Sequence, residues 1–148
     1  MNTIFDQSQL FSFLPPDDLL QRRSGHGQKG ILVILQSQEA AEPVDPGFLP
    51  KILQAAKLQP EQDTWSLFLN ATEQISFNHV PDRAHLKTVL AFGANPKQLG
   101  LQFQIPPYHP RKISDLQFLF APALSIISNS QGDKKELWRA LQELFLQP

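Results

Sequence analysis

Runs of apolar residues along the chain predict several strands. Residues 31–35 form an unbroken apolar run, which is typical of a strand buried on both faces of a parallel sheet. The segments 65–69, 88–92 and 116–120 are further strand candidates. Residues 101–105 alternate apolar and polar side chains, so they predict either an edge strand or an extended loop.

Apolar stripes at helical spacing predict two helices. The first covers 48–57, where Pro50 is tolerated because it falls near the first turn. The second lies near the C-terminus, where Asp133 and Glu136 have the spacing of a capping box. Its apolar face consists of Leu137, Leu141, Leu144 and Phe145. Part of 71–87 is also predicted to be helical.

Strands that alternate with helices predict an α/β fold with a mostly parallel sheet covered on both sides. With 148 residues the chain has the size of one domain, so 31–148 is predicted to form a single α/β domain around one core. Residues 1–24 precede it as a separate apolar segment. The glycines of 25–30 predict a flexible joint between the two.

The leading segment 1–24 has two interpretations. It packs on its own domain, as terminal helices commonly do, or it docks into a groove on a partner through large apolar anchors. Three Phe within nine residues, outside the predicted core elements, support the second interpretation. The candidate partner-binding residues are Ile4, Phe5, Leu10, Phe11 and Leu14.

Composition excludes several classes of function. The chain has no cysteine, which excludes disulfides, thiolate nucleophiles and cysteine-based metal sites. This composition fits a reducing compartment, and a cytoplasmic location is therefore expected. No apolar run approaches the roughly 20 residues that a membrane span requires.

The charge pattern argues against strong direct binding of nucleic acid. The net charge is −1, and Lys and Arg are scattered along the chain. The adjacent basic pairs 22–23, 111–112 and 134–135 are interpreted as solvated surface. Tight nucleic-acid binding usually requires a clustered basic patch, which this sequence does not display.

Motifs for cofactors and metals are weak. Gly25, Gly27 and Gly30 have the spacing of a dinucleotide-binding loop, but they precede a strand where the mechanism requires them to follow one. The four histidines at 26, 79, 85 and 109 lack the spacing of a zinc site. Neither a cofactor nor a metal is expected. Glu39 follows the first strand with Glu42 and Asp45, so it is either a catalytic carboxylate or part of a solvated loop.

Two parts of the chain resemble the uracil-DNA glycosylase superfamily. Residues 88–101, with Gly93, Asn95 and Pro96, are similar to its third-strand region. Residues 118–125, followed by a helix with Leu137 and Trp138, are similar to its last strand and helix. The resemblance implies a three-layer Rossmann-like fold with a central, mostly parallel four-stranded sheet.

The catalytic motifs of that superfamily are missing from this sequence. The turn from Gln36 to Glu39 has no glycine and no proline beside the acid. Ala121 stands ahead of Pro122 where the enzymes carry a histidine, and alanine offers no donor to a developing anion. The resemblance therefore implies no catalytic residues, and a remnant of a ligand pocket at Glu39, Asn95, Ala121 and Pro122.

The chain also resembles the psi-subunit family of bacterial DNA polymerase III, a catalytically silent form of this fold. The likeness lies in the length, the leading peptide, the turn at 121–124 and the Leu-Trp helix that follows. It implies an accessory subunit that bridges clamp-loader subunits of DNA polymerase III to a chi-type subunit and the single-strand-binding protein. Two alternatives stay open: a divergent DNA glycosylase acting on a flipped base, or an unrelated α/β protein-binding module.

Overall fold

The computed structural model describes residues 12–13, 16–36, 47–70, 72–76, 80–102 and 104–146. The strands are β1 Ser12–Phe13, β2 Ser24–Gly25, β3 Ile31–Gln36, β4 Thr64–Leu69, β5 Glu73–Gln74, β6 Thr88–Phe92, β7 Arg111–Ile113 and β8 Leu116–Ala121. The α-helices are α1 Pro16–Arg22, α2 Phe48–Ala55, α3 Leu124–Ser128 and α4 Gln131–Leu141. A 3-10 helix covers Pro96–Leu99, and a π-helical turn covers Gln142–Leu146. The predicted α/β class is confirmed.

The main sheet has six strands in the order β2-β4-β3-β6-β8-β7. The four inner strands pair in parallel, and the two edge strands pair antiparallel to their neighbours. The sequence predicts four strands, so the sheet is larger and more mixed than expected. The additional edges β2 and β7 have only two and three residues, which is too short to leave a periodic pattern.

The core lies on both faces of this sheet. Side chains alternate along β3, so that Ile31, Val33 and Leu35 face one side and Leu32 and Ile34 face the other. The first side packs against α2, α3 and α4. Among the described residues, the second side is covered by α1, the 3-10 helix and segments without regular structure.

The segment 71–87 differs from its prediction. Its described residues, 72–76 and 80–87, form β5 and a series of turns, so the helix predicted there is wrong for this part of the chain. Ile75, Val80 and Leu86 are buried, but gaps of five and six positions do not align them on one helical face. In the neighbouring segment 101–105, Leu101 and Ile105 are buried without forming a strand where the structure describes it.

Helix α4 confirms the clearest sequence prediction, but its cap lies elsewhere. The Ser130 hydroxyl accepts a hydrogen bond from the Asp133 N–H at 3.2 Å, so Ser130 is the N-cap and Asp133 lies in the first turn. The predicted capping box from Asp133 to Glu136 is therefore wrong. The Asp133 carboxylate instead accepts a hydrogen bond from the Tyr108 hydroxyl at 2.8 Å. This bond joins the loop before β7 to α4.

Residues 25–30, predicted as a flexible joint, lie along the edge of the sheet. The backbone N–H groups of residues 26–29 donate to carbonyls of residues 61–64, in the turn before β4 and at its start, at distances of 2.8–3.2 Å. Gly27 has a φ of +60°, and a Cβ there would lie 2.0 Å from the Trp65 ring. Glycine therefore lets the indole pack directly against this backbone.

Candidate functional site

The carboxyl ends of β3, β6 and β8 form the candidate site, because open α/β sheets bind ligands at this edge. Gln36 ends β3, Gly93 follows β6 and Ala121 ends β8. The Gly93 N–H donates to the Ala121 carbonyl at 2.8 Å. The Gln36 side-chain amide donates to the Gly93 carbonyl, so the three strand ends are joined directly.

Gly93 brings its neighbours into close contact. Its φ is +81°, and a Cβ would lie 2.6 Å from Gln36 Cγ and 3.2 Å from Ala123 Cβ. Gln36 and Ala123 therefore lie close to the Gly93 backbone, with no room between them for a side chain at position 93.

The Gln36 amide is the most polar group at this edge. The residue is 9% exposed. Its Oε1 has no hydrogen-bond donor among the described residues. An unpaired buried oxygen costs about 1–3 kcal/mol. Residues 37–46 follow directly and lie outside the described part of the chain.

The predicted pocket remnant is only partly brought together. Ala121 and Pro122 lie at the end of β8, where Ala121 is 6% exposed. An alanine and a proline supply no side-chain donor there. Asn95 lies two residues after Gly93, but its side chain bonds within the 3-10 helix. Glu39 lies outside the described residues, as do the candidate anchors Ile4, Phe5, Leu10, Phe11 and Leu14.

Asn95 has a structural role that the sequence did not indicate. Its Oδ1 accepts from the Gln98 N–H, and its own N–H donates to Gln98 Oε1, each at 3.3 Å. This reciprocal pair caps the 3-10 helix. The buried Gln98 amide then donates to the carbonyls of Asn70 and Glu73, both at 2.9 Å.

The same polar network reaches the leading segment. Arg22, the last residue of α1, donates to the Glu73 carboxylate at 2.7 Å. This hydrogen bond is the largest cause that lowers the pKa of Glu73 below its usual value. In addition, β1 pairs in parallel with β5. The described residues of this segment, 12–13 and 16–24, are therefore attached to the domain by backbone and side-chain bonds.

The basic pair Arg22–Arg23 was predicted to be solvated surface, and the structure differs. Arg23 lies over the Trp65 ring at 4.6 Å from its centroid, and its side chain is 14% exposed. It also donates to the Asp82 carboxylate at 2.9 Å. Both arginines therefore contact the domain itself. A cation on an aromatic face and an ion pair both stabilise such packing.

Of the four histidines, His79 lies outside the described residues, and His85 has contacts within the domain. His85 Nε2 donates to the Gln28 carbonyl at 2.9 Å, and the ring meets Trp65 edge-on at 6.0 Å between centroids. Among the described residues, no three His, Asp or Glu side chains are grouped as a metal site requires. No helix in that part of the chain is long and apolar enough to cross a membrane.

The fold and this site define an α/β domain in which Gln36 and Ala123 pack closely around Gly93 at the strand ends. No protein-family model matches the chain, and no curated protein matches it significantly.

Proposed function

We propose that the protein is a non-catalytic accessory subunit of the bacterial replicative DNA polymerase, similar to its psi subunit. In this role it bridges clamp-loader subunits to a chi-type subunit and the single-strand-binding machinery through protein–protein contacts in the cytoplasm. The sequence resemblance at 88–101 and 118–145 leads to this proposal. The uracil-DNA glycosylase-like, Rossmann-like description of the fold belongs to the same proposal.

The close packing around Gly93 is the observation that supports the non-catalytic part of the proposal. A glycosylase must hold a flipped base in a pocket and stabilise the charge that develops on it. Here Gln36 and Ala123 both lie close to the Gly93 backbone, at the strand ends where such a pocket would open. Ala121 and Pro122, in the position of the resembled enzymes' charge-stabilising loop, offer no side-chain donor.

The docking part of the proposal depends on the leading segment, residues 1–24. The bonds of β1 and α1 to the domain involve described residues from Ser12 to Arg22. Of the five candidate anchors, Ile4, Phe5, Leu10 and Phe11 precede Ser12 in the sequence, and Leu14 lies between β1 and α1. Each large side chain buried in a partner groove would contribute roughly 1.5–3 kcal/mol to binding. The sum over the anchors has to exceed the cost of association and of ordering the segment.

The experiment is a pull-down with purified clamp-loader subunits. The test variant replaces Ile4, Phe5, Leu10 and Phe11 with serine in the full chain. A deletion of 1–24 is avoided because it would also remove Leu19, a core residue 3% exposed, and the Arg22 contact. The control is Leu20→Ser, which changes a side chain 53% exposed on α1.

The expected result is recovery of clamp-loader subunits by the wild type and by Leu20→Ser, with loss for the serine variant. Equal recovery by all three, or recovery by none, would end the proposal. Urea unfolding of each variant shows whether the domain is intact, so that loss of binding can be separated from loss of the fold.

A further inference from the structure

Helices α2 and α4 form an apolar groove on the helical side of the sheet. Its walls include Phe48 and Ile52 from α2, and Leu137 and Trp138 from α4. Phe48, Ile52 and Trp138 are only partly buried, although they pack against the core. The groove encloses about 300 Å³, which is enough for one or two large side chains.

Two lysines add positive charge to this groove. Lys51 of α2 and Lys134 of α4 both line it. Among the described residues, no carboxylate lies within ion-pair distance of either lysine. A cation beside an apolar groove attracts a partner that brings a carboxylate together with an apolar side chain.

The acidic residues of α4 are occupied by other partners. Asp133 accepts from the Tyr108 hydroxyl at 2.8 Å. Glu136 and the neighbouring Glu143 lie 3.4 Å and 3.9 Å from Arg139 nitrogens. The described carboxylates of this helix therefore form no ion pair with Lys134.

We infer that the α2–α4 groove binds a peptide segment of a partner protein that combines large apolar side chains with Asp or Glu. Trp138 is the central anchor, since a partly exposed tryptophan in an apolar setting is the residue type that dominates binding energy at interfaces. Lys51 and Lys134 select for the acidic groups. The inference goes beyond the proposed function, because it requires neither the leading segment nor a clamp loader.

The test is selection of a phage-displayed random peptide library on the immobilised full-length protein. Selected peptides are then synthesised, and their binding is measured by fluorescence anisotropy. We expect enriched peptides to pair Phe, Trp or Leu with Asp or Glu. We expect Lys51→Glu/Lys134→Glu to weaken their binding about tenfold or more, as loss of complementary charge at an interface does.

Control variants separate this groove from general effects. Lys97→Glu/Lys112→Glu makes the same change in net charge at two exposed lysines outside the groove, and binding should change less than about twofold. Trp138→Ala should abolish binding. Because Trp138 also contacts the core, Trp138→Phe serves as a second variant, which keeps the packing and should weaken binding partially.

Four outcomes would overturn the inference. Enriched peptides without net negative charge, or peptides that bind the Lys51→Glu/Lys134→Glu variant as well as the wild type, would contradict the role of the lysines. Binding that appears only after Glu39→Gln/Glu42→Gln/Asp45→Asn would show that the chain's own residues occupy the groove. Self-association that disappears with Trp138→Ala, measured by sedimentation, would identify a second copy as the occupant.

Discussion

Arg22 Nη1 lies 2.7 Å from Glu73 Oε1, and this ion pair joins α1 to β5. The Glu73 carboxylate also accepts from the Asn70 N–H at 3.0 Å, and its side chain is only 10% exposed. A charge-assisted hydrogen bond in such a setting is stronger than one at an open surface. This contact is therefore a strong side-chain bond between α1 and β5.

The first prediction concerns Glu73→Gln, which removes the charge and keeps the shape of the side chain. The Arg22 hydrogen bond holds the folded pKa of Glu73 below its ordinary value of 4.5. The stability from this charge is therefore complete above the ordinary pKa and is lost as the pH falls through the lower folded pKa. We expect the variant to lose about 1–2 kcal/mol of unfolding free energy at neutral pH, and the difference from wild type to shrink in acid.

Urea titrations at neutral pH and at two acidic pH values measure this difference. Asp115→Asn is the control, because Asp115 lies 2.7 Å from Arg83 but its side chain is 69% exposed. Water screens that pair, so its removal should change stability less. A loss for Glu73→Gln that stayed constant from neutral to acidic pH would contradict the linkage to Arg22.

The second prediction compares two glycines. Gly93→Ala should destabilise the fold by about 2–4 kcal/mol, because alanine is strained at positive φ and its Cβ would overlap Gln36. Gly132 lies inside α4, and the nearest atom to an added Cβ there is 3.9 Å away. Gly132→Ala should therefore stabilise by about 0.5–1 kcal/mol. Thermal or urea unfolding of the two variants measures the change in stability. Equal changes for Gly93→Ala and Gly132→Ala would show that the strand ends are not closely packed.

The third prediction tests the cap of α4. Ser130→Ala removes the oxygen that accepts from the Asp133 N–H, and should cost about 1 kcal/mol of unfolding free energy. Glu136→Gln should change the unfolding free energy by less than about 0.5 kcal/mol, because Glu136 forms an ion pair with Arg139 at an exposed site. The reverse ranking would restore the capping box that the sequence predicts.

The fourth prediction addresses catalysis. Purified protein should release no uracil from single- or double-stranded DNA, since the strand ends hold Gln36 and Ala123 where a base would enter. The measurement is alkaline cleavage of a uracil-containing oligonucleotide. Release by the wild type that Glu39→Gln or Asn95→Ala abolishes would favour the glycosylase alternative. Release that both variants retain would indicate a contaminating enzyme.

The central strands could be predicted because each is apolar at consecutive positions, as in the run from Ile31 to Leu35. Burial on both faces leaves this signature without help from distant residues. The edge strands β2 and β7 could not be predicted, because their residues are mostly exposed and their pairing depends on neighbours far along the chain. The helix predicted in 71–87 is wrong for a related reason. The described apolar residues of this segment pack into the core from turns and not from one helical face.

At the site, the lack of a donor at Ala121 was visible in the sequence, since side-chain chemistry is local information. The close packing around Gly93 was not visible in the sequence, because it depends on a positive φ and on the proximity of Gln36 and Ala123. The network from Arg22 through Glu73 to Gln98 was also missed. These residues are 51 and 25 positions apart in the chain, and no short motif links them.

Strand β7 ends the main sheet with Arg111 and Lys112, both exposed. A second molecule that tried to continue the sheet at this edge would bring four cations close together, and like charges on paired strands repel. The short, positively charged border therefore discourages edge-to-edge polymerisation. It should keep the protein dispersed at high concentration and low salt, where such repulsion reaches farthest.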